Sequence, residues 1–130
     1  MAKFLSPRLK LKMMKRYILD ENHKPILLPH TNTGSKAWRN QMDKWSKFHE
    51  SKERIVKREN VGPYNLSTVF LGLDLSFTEH ETPILFESML FFSDKKHKVK
   101  DMRRYSTWEE AEAGHAEMKA SILLHMAKVN

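Results

Sequence analysis

Apolar and polar positions repeat along this chain with two different periods, and the change of period divides it into elements. Between Arg16 and Leu28 two short apolar runs flank Asp20-Glu-Asn-His23, the pattern of a hairpin closed by a polar turn. Pro25 and Pro29 withhold backbone donors, which assigns the second run to a sheet edge. Thr31-Asn-Thr-Gly34 reads as a loop, and Ser35 as the N-cap of a helix running to about Glu53. Inside that helix Trp38, Met42, Trp45 and Phe48 recur at steps of 4, 3 and 3, while Lys44, Lys47 and Glu50 fall on wetter faces. The spacing predicts a helix whose aromatic stripe is core.

The middle of the chain switches to period two. Residues 55–65 predict a strand that turns at Gly62-Pro63, and the strongest strand signal follows, from Leu66 to Asp74. Its partner is Pro83 to Phe92, across the polar loop Leu75 to Thr82, so the two should form an antiparallel hairpin. Setting Leu73 opposite Ile84 gathers Val69, Leu71 and Leu73 with Ile84, Phe86 and Leu90 on one apolar face. A slip of one residue would bring Glu87 into that set, at the cost of burying a carboxylate.

Period 3.6 returns at the end. Ser106 with Glu109, and Thr107 with Glu110, both fit the capping-box spacing, and Glu109, Glu110 and Glu112 sit where a helix dipole favours acids. The helix should run to about Lys128, with Ala111, His115, Met118 and Ile122 as its buried stripe and Gly114 allowing close approach to the sheet. The expected fold class is α+β. A small antiparallel sheet, a hairpin plus a β-meander, carries a central helix and a long C-terminal helix packed on one face. Residues 1–15 form a basic N-terminal arm and residues 16–130 a single domain.

Composition narrows this picture. A chain of 130 residues, 40% hydrophobic and 30% charged, suits one globular domain with a real core. The chain has no cysteine, which excludes disulfides and thiolate zinc sites. No apolar stretch of membrane-span or signal-peptide length is present, so no membrane partner is expected and the protein should stay where it is synthesised.

Charge changes the picture more. Residues 1–16 hold six cations and no acid, and residues 95–104 hold six cations and one acid, so the rest of a +7 chain is net −4. The cations Lys10, Lys12, Lys15, Arg16, Lys95, Lys96, Lys98, Lys100, Arg103 and Arg104 are therefore the candidate binding residues. Lys95, Lys96, Lys98 and Lys100 alternate too irregularly for one strand face or one helix face, which reads as an exposed basic loop. The bland alternative is a solvated tail and a solvated loop.

One constellation could carry chemistry. Asp74, Glu87 and His115, with Arg104, could supply acid–base or metal-ligating groups, but the spacing lacks a close ligand pair, and His115 and His125 are ten residues apart. The structural alternative pairs Glu87 with Arg103, Arg104 or His115 to pin the last helix onto the sheet. No phosphate loop or nucleophile elbow is present. No catalytic residue, metal or cofactor is assigned. Tyr64, Phe77 and Trp108 beside the basic segment could stack on bases, though each is equally a core residue.

Three stretches taken together, Ser67-Thr-Val-Phe-Leu-Gly-Leu-Asp74, Pro83-Ile-Leu-Phe-Glu-Ser-Met89 and Tyr105-Ser-Thr-Trp-Glu-Glu-Ala-Glu-Ala-Gly-His115, resemble a widespread group of small proteins encoded by bacteriophages and prophages. The resemblance covers roughly residues 16–120. Leu75 stands where that group often has His, and the segment from Ser93 to Arg104 is long and basic where the group has a short Gly-rich loop. The resemblance implies a viral accessory protein in the host cytoplasm, and no established chemistry. Joined to the charge pattern, it predicts a protein that works by binding rather than catalysis. The first expected partner is a host protein or defence complex, in an anti-CRISPR-like role. The alternative is nucleic acid or a ribonucleoprotein met through the basic arm and loop, and the third reading is an enzyme built on Asp74, Glu87 and His115. The sequence leaves the oligomeric state open.

Overall fold

The computed structural model describes Pro7 and residues 15–29, 31–76 and 82–129. Among the described residues two long helices and two antiparallel sheets make an α+β protein. The described residues fall into two compact units, Met1–Arg54 with Leu71–Leu85, and Ile55–Phe70 with Phe86–Asn130.

In the first unit, β1 (Tyr17–Leu19) and β2 (Pro25–Leu27) pair as the expected hairpin, with Tyr17 opposite Leu27. The turn closes because Asp20 Oδ1 accepts from the backbone N–H groups of Asn22 and Lys24, at 2.8 and 2.9 Å, and His23 takes a left-handed φ of 62°. Helix α1 (Lys36–Glu50) starts where Ser35 Oγ accepts from Trp38 N at 3.0 Å, and a single 3-10 turn, Lys52–Arg54, follows it. The stripe of Trp38, Met42, Trp45 and Phe48 lies on the helix as expected, but it is only half-buried and no residue of α1 is fully buried. Spacing selected the face. The hairpin it meets has strands of three residues, too short to cover four large side chains.

The second unit is a four-stranded meander, β3 (Ile55–Val61), β4 (Tyr64–Phe70), β5 (Phe86–Phe92) and β6 (Lys95–Tyr105), in that spatial order. Gly62, at φ 59°, and Pro63 make the two-residue turn between β3 and β4, with Val61 directly opposite Tyr64. Helix α2 (Trp108–Val129) packs on this sheet. Thr107 is its cap, with Oγ1 accepting from Glu110 N at 3.0 Å. Ala111, His115, Met118 and Ile122 are all buried, as the periodicity predicted. A Cβ on Gly114 would stand 2.2 Å from the Tyr105 ring, so only glycine lets that ring lie against the helix.

The expected register is off by one. Phe70 lies opposite Phe86 and Val69 opposite Glu87, so the covered face is Tyr64, Leu66, Thr68 and Phe70 with Phe86, Ser88 and Leu90. Val69, Leu71, Leu73 and Ile84 are only partly buried. Counting apolar residues failed because the core accepts two hydroxyls: Thr68 and Ser88, directly paired and fully buried, bond each other. Beyond Phe70 the strand ends. Gly72, at φ 78°, breaks the extended run against Trp45, whose Nε1 donates to Gly72 O at 3.3 Å.

Candidate functional site

The basic segment 95–104 is strand β6, not a loop, and it forms an outer edge of the four-stranded sheet. Its irregular lysine spacing has a structural cause. Moving along β5, the partner of Leu90 is Asp101, that of Phe91 is Val99 and that of Phe92 is Lys95. The pairing therefore skips Lys100, a bulge, and then 96–98. Plain alternation back from Tyr105 would send Lys100 to the face away from α2. The bulge instead carries its ammonium to 5.5 Å from the ring centres of both Tyr64 and Phe92, on the helix side.

Arg103 and Arg104 point to opposite faces, as neighbours on a strand must. Arg103 meets Glu117 of α2 at 3.2 Å in a solvent-exposed pair. Arg104 lies opposite Glu87 and donates from Nε to its Oε2 at 3.0 Å. Glu87 is mostly buried, so the pair has a structural role across the sheet, but it joins β5 to β6 on the face away from α2 and does not pin the last helix as expected. Lys98, Val99, Lys100, Asp101, Met102, Arg103 and Arg104 form one exposed run. Between β6 and α2 an open groove of about 330 Å³ is walled by Tyr64, Leu90, Lys100, Arg103, Met118 and His125 among others.

The other candidate cations are distributed differently. Lys10 and Lys12 lie outside the described residues, and of Lys95 and Lys96 only the backbone is described. Lys15 is exposed in the first unit. Arg16 belongs to the same unit, where its guanidinium sits 5.5 Å from the Trp45 ring centre and its carbonyl accepts from Leu28 N at 2.9 Å. Trp45 also stacks on His49 with ring centres 4.4 Å apart. Burial, and then the Arg54 charge, hold the His49 imidazole below its ordinary pKa, which favours the neutral ring in that stack.

Asp74, Glu87 and His115 each answer to a different partner. Asp74, almost fully buried, uses Oδ1 to accept from Ser76 N, Ser76 Oγ and Ile84 N at 2.8–2.9 Å, which clamps the ends of its loop. Burial first, and the Asp74 charge second, raise the pKa of Tyr17. His115 takes part in a network the sequence reading missed. Its Nε2 lies 2.7 Å from Glu59 Oε2 and its Nδ1 2.7 Å from Thr68 Oγ1. Thr68 reaches Ser88 at 2.5 Å, and Tyr105 donates to Ser88 at 3.0 Å. Hydrogen bonds from Lys119 first and His115 second depress the Glu59 pKa to about 2. An ionised Glu59 only accepts, so His115 Nε2 must carry hydrogen and donate to it, while Nδ1 shares a hydrogen bond with Thr68 Oγ1. Thr68 and Ser88 share a hydrogen bond, and Ser88 accepts from Tyr105. Every member of the chain is satisfied.

Carboxylate, imidazole and hydroxyl in sequence is the order of acyl-transfer machinery. Here the hydroxyls of Thr68 and Ser88 have no solvent exposure, so no substrate could reach them. The network ties α2 to β3, β4, β5 and β6. One signal for it was available: a histidine in a buried stripe requires a polar partner, and Thr68 falls in the period-two series Tyr64, Leu66, Thr68, Phe70. Among the described residues no group of three His, Cys, Asp or Glu is placed to hold a metal ion, and no helix is long and apolar enough to cross a membrane. Comparison of the chain with family models, with curated proteins and with solved structures finds no match in any of the three.

Proposed function

We propose that this chain is a phage-encoded accessory protein of the host cytoplasm that works by binding, and that strand β6 docks an acidic segment of a host protein or defence complex. The observation that carries the reading is the character of β6. It is an eleven-residue outer strand, and exposed apolar side chains, Val99 at 45% and Met102 at 42%, stand among its cations. An open strand edge offers backbone donors and acceptors to an extended partner, and alternating side chains supply selectivity. Lysines on such an edge repel other basic strands and attract acidic ones. The phage context rests on the three-part sequence resemblance.

Nucleic acid is less well served by the same surface. The rings of Tyr64 and Phe92 lie under Lys100, so their faces are not free for bases to stack. Arg103 and Arg104 are already engaged by Glu117 and Glu87. An apolar contribution from Val99 and Met102 would be wasted on a phosphate backbone.

Affinity capture from infected host cells, with and without nuclease, tests the reading together with two variants. Capture should survive nuclease. Replacing Lys95, Lys96, Lys98 and Lys100 with serine should slow association and flatten its salt dependence, at a folding cost of about 1 kcal/mol through the lost Lys100 ring contacts. The pair Val99→Asp and Met102→Asp should abolish capture. Release of the partner by nuclease, with the aspartate pair binding normally, would instead establish a nucleic-acid protein.

A further inference from the structure

Helix α2 is apolar on two faces, and the sheet uses only one. Ala111, His115, Met118 and Ile122 face the sheet and are buried. On the far side Ala113, Ala116, Ala120, Leu123 and Ala127 succeed one another at steps of 3, 4, 3 and 4, and all five are exposed. That is the seven-residue repeat of a helix–helix seam. Leu123 and its neighbour Leu124 are 47% and 59% exposed, the largest apolar side chains on the helix left in water. Along one flank an open groove of about 410 Å³ separates these residues from Val56 of β3, and its walls also carry Glu59, Glu112 and Lys119. A lone exposed leucine is unremarkable, but a continuous stripe in heptad register is not required by this fold.

The charges on the helix say what covers it. Its first half carries Glu109, Glu110, Glu112 and Glu117 and no lysine or arginine; its second half carries Lys119 and Lys128 and no acid. Two such helices side by side in parallel would set acid against acid. Antiparallel, the acidic first turns of each meet the basic last turn of the other, and the helix dipoles oppose favourably. The alanines let the two backbones come close. The surface is complementary to itself under a two-fold axis, which is the requirement for an isologous dimer.

We infer that the outer face of α2 is a homodimer interface, in which two copies of this helix pair antiparallel around Ala116 and Ala120, with Leu123 of each against Ala113 of the other. Glu110 of each copy lies near Lys128 of the other. The dimer leaves β6 of both copies open, so this inference is independent of the binding reading above.

Sedimentation equilibrium of the full chain over a concentration series is the test. The wild type should sediment as a dimer. Leu123→Lys with Leu124→Lys should weaken the dimer by more than about tenfold, with an unchanged circular dichroism spectrum. Charge exchange then checks the orientation. Glu110→Lys alone and Lys128→Glu alone should each loosen the dimer, and the two together should restore it. A wild-type chain that stays monomeric throughout overturns the inference, as does a dimer that survives the leucine replacements. A dimer lost with the leucines but indifferent to both charge changes would overturn the antiparallel arrangement.

Discussion

Helix α1 carries two tryptophans, a methionine and a phenylalanine at helical spacing and buries none of them fully, whereas α2 places an alanine, a histidine, a methionine and an isoleucine in the same role and buries all four. The larger side chains are the less covered. What differs is the surface each meets. Helix α2 lies on four strands and closes over Val61, Tyr64, Leu66 and Leu90, while α1 meets a hairpin with strands of three residues. A stripe therefore fixes which face turns inward, and the partner's area fixes how deep it goes. The two units are accordingly held by different means. One has a closed interior with a satisfied polar chain. The other relies on turn chemistry, a capped helix, the Asp74 loop clamp and partly covered aromatics.

The sharpest way to break that contrast is truncation in both units. Phe70 has no exposed surface, and Phe70→Ala should cost about 3–5 kcal/mol. Trp45 is larger but half-buried, and Trp45→Ala should cost roughly half as much or less. Denaturant unfolding of the two variants gives the comparison directly. Equal losses, or a greater loss at Trp45, would mean that α1 is as much a core element as its stripe suggested.

The same contrast explains what could be read in advance. Both helices, the opening hairpin, the Gly62-Pro63 turn and the buried stripe of α2 follow from local signals, namely periodicity and caps. The register of β4 and β5 does not, because it is decided by a hydroxyl pair and a histidine that meet only in the folded sheet. Had Thr68 and Ser88 been scored as buriable, Phe70 opposite Phe86 would have followed. Strand β6 was hidden by its bulge at Lys100, which disrupts the alternation that marks a strand. Glu59 was invisible for a different reason. It lies fifty-six residues from His115, and nothing local links them.

Acidification should act on the second unit through Glu59. Its pKa falls from an ordinary 4.5 to about 2, with Lys119 the main cause and His115 the next. A depressed carboxylate contributes stability that is fully present above its unfolded value and is lost as pH falls through the folded one. Unfolding free energy should therefore decline between about pH 4.5 and 2. In Glu59→Gln this portion of the decline should disappear, leaving a flatter acid limb from a lower plateau at neutral pH. Identical acid limbs for the two proteins would show that the Glu59 contacts do not persist in solution.

Capping separates two readings of one sequence. Both Ser106 and Thr107 sit at capping-box spacing, but only Thr107 Oγ1 receives the Glu110 N–H. Thr107→Ala should cost about 1 kcal/mol, and Ser106→Ala less than about 0.5. Melting midpoints of the two single variants decide it, and equal losses would point to a shared cap.

The smallest expected effect probes the other unit at the turn that closes its hairpin. His23 sits at φ 62°, a conformation that L-residues visit at a cost and asparagine visits most easily. The backbone demands it: His23 N donates to Asp20 O at 3.0 Å, and Asp20 N to Lys24 O at 2.9 Å, leaving no extended alternative at that position. His23→Asn relieves part of the strain without giving the unfolded chain the extra freedom glycine would, so stability should rise by about 0.5 kcal/mol or less. His23→Val, β-branched, should move the melting midpoint the opposite way. If neither substitution shifts it, the turn opens before its unit unfolds, and turn chemistry is not what holds this half of the protein together.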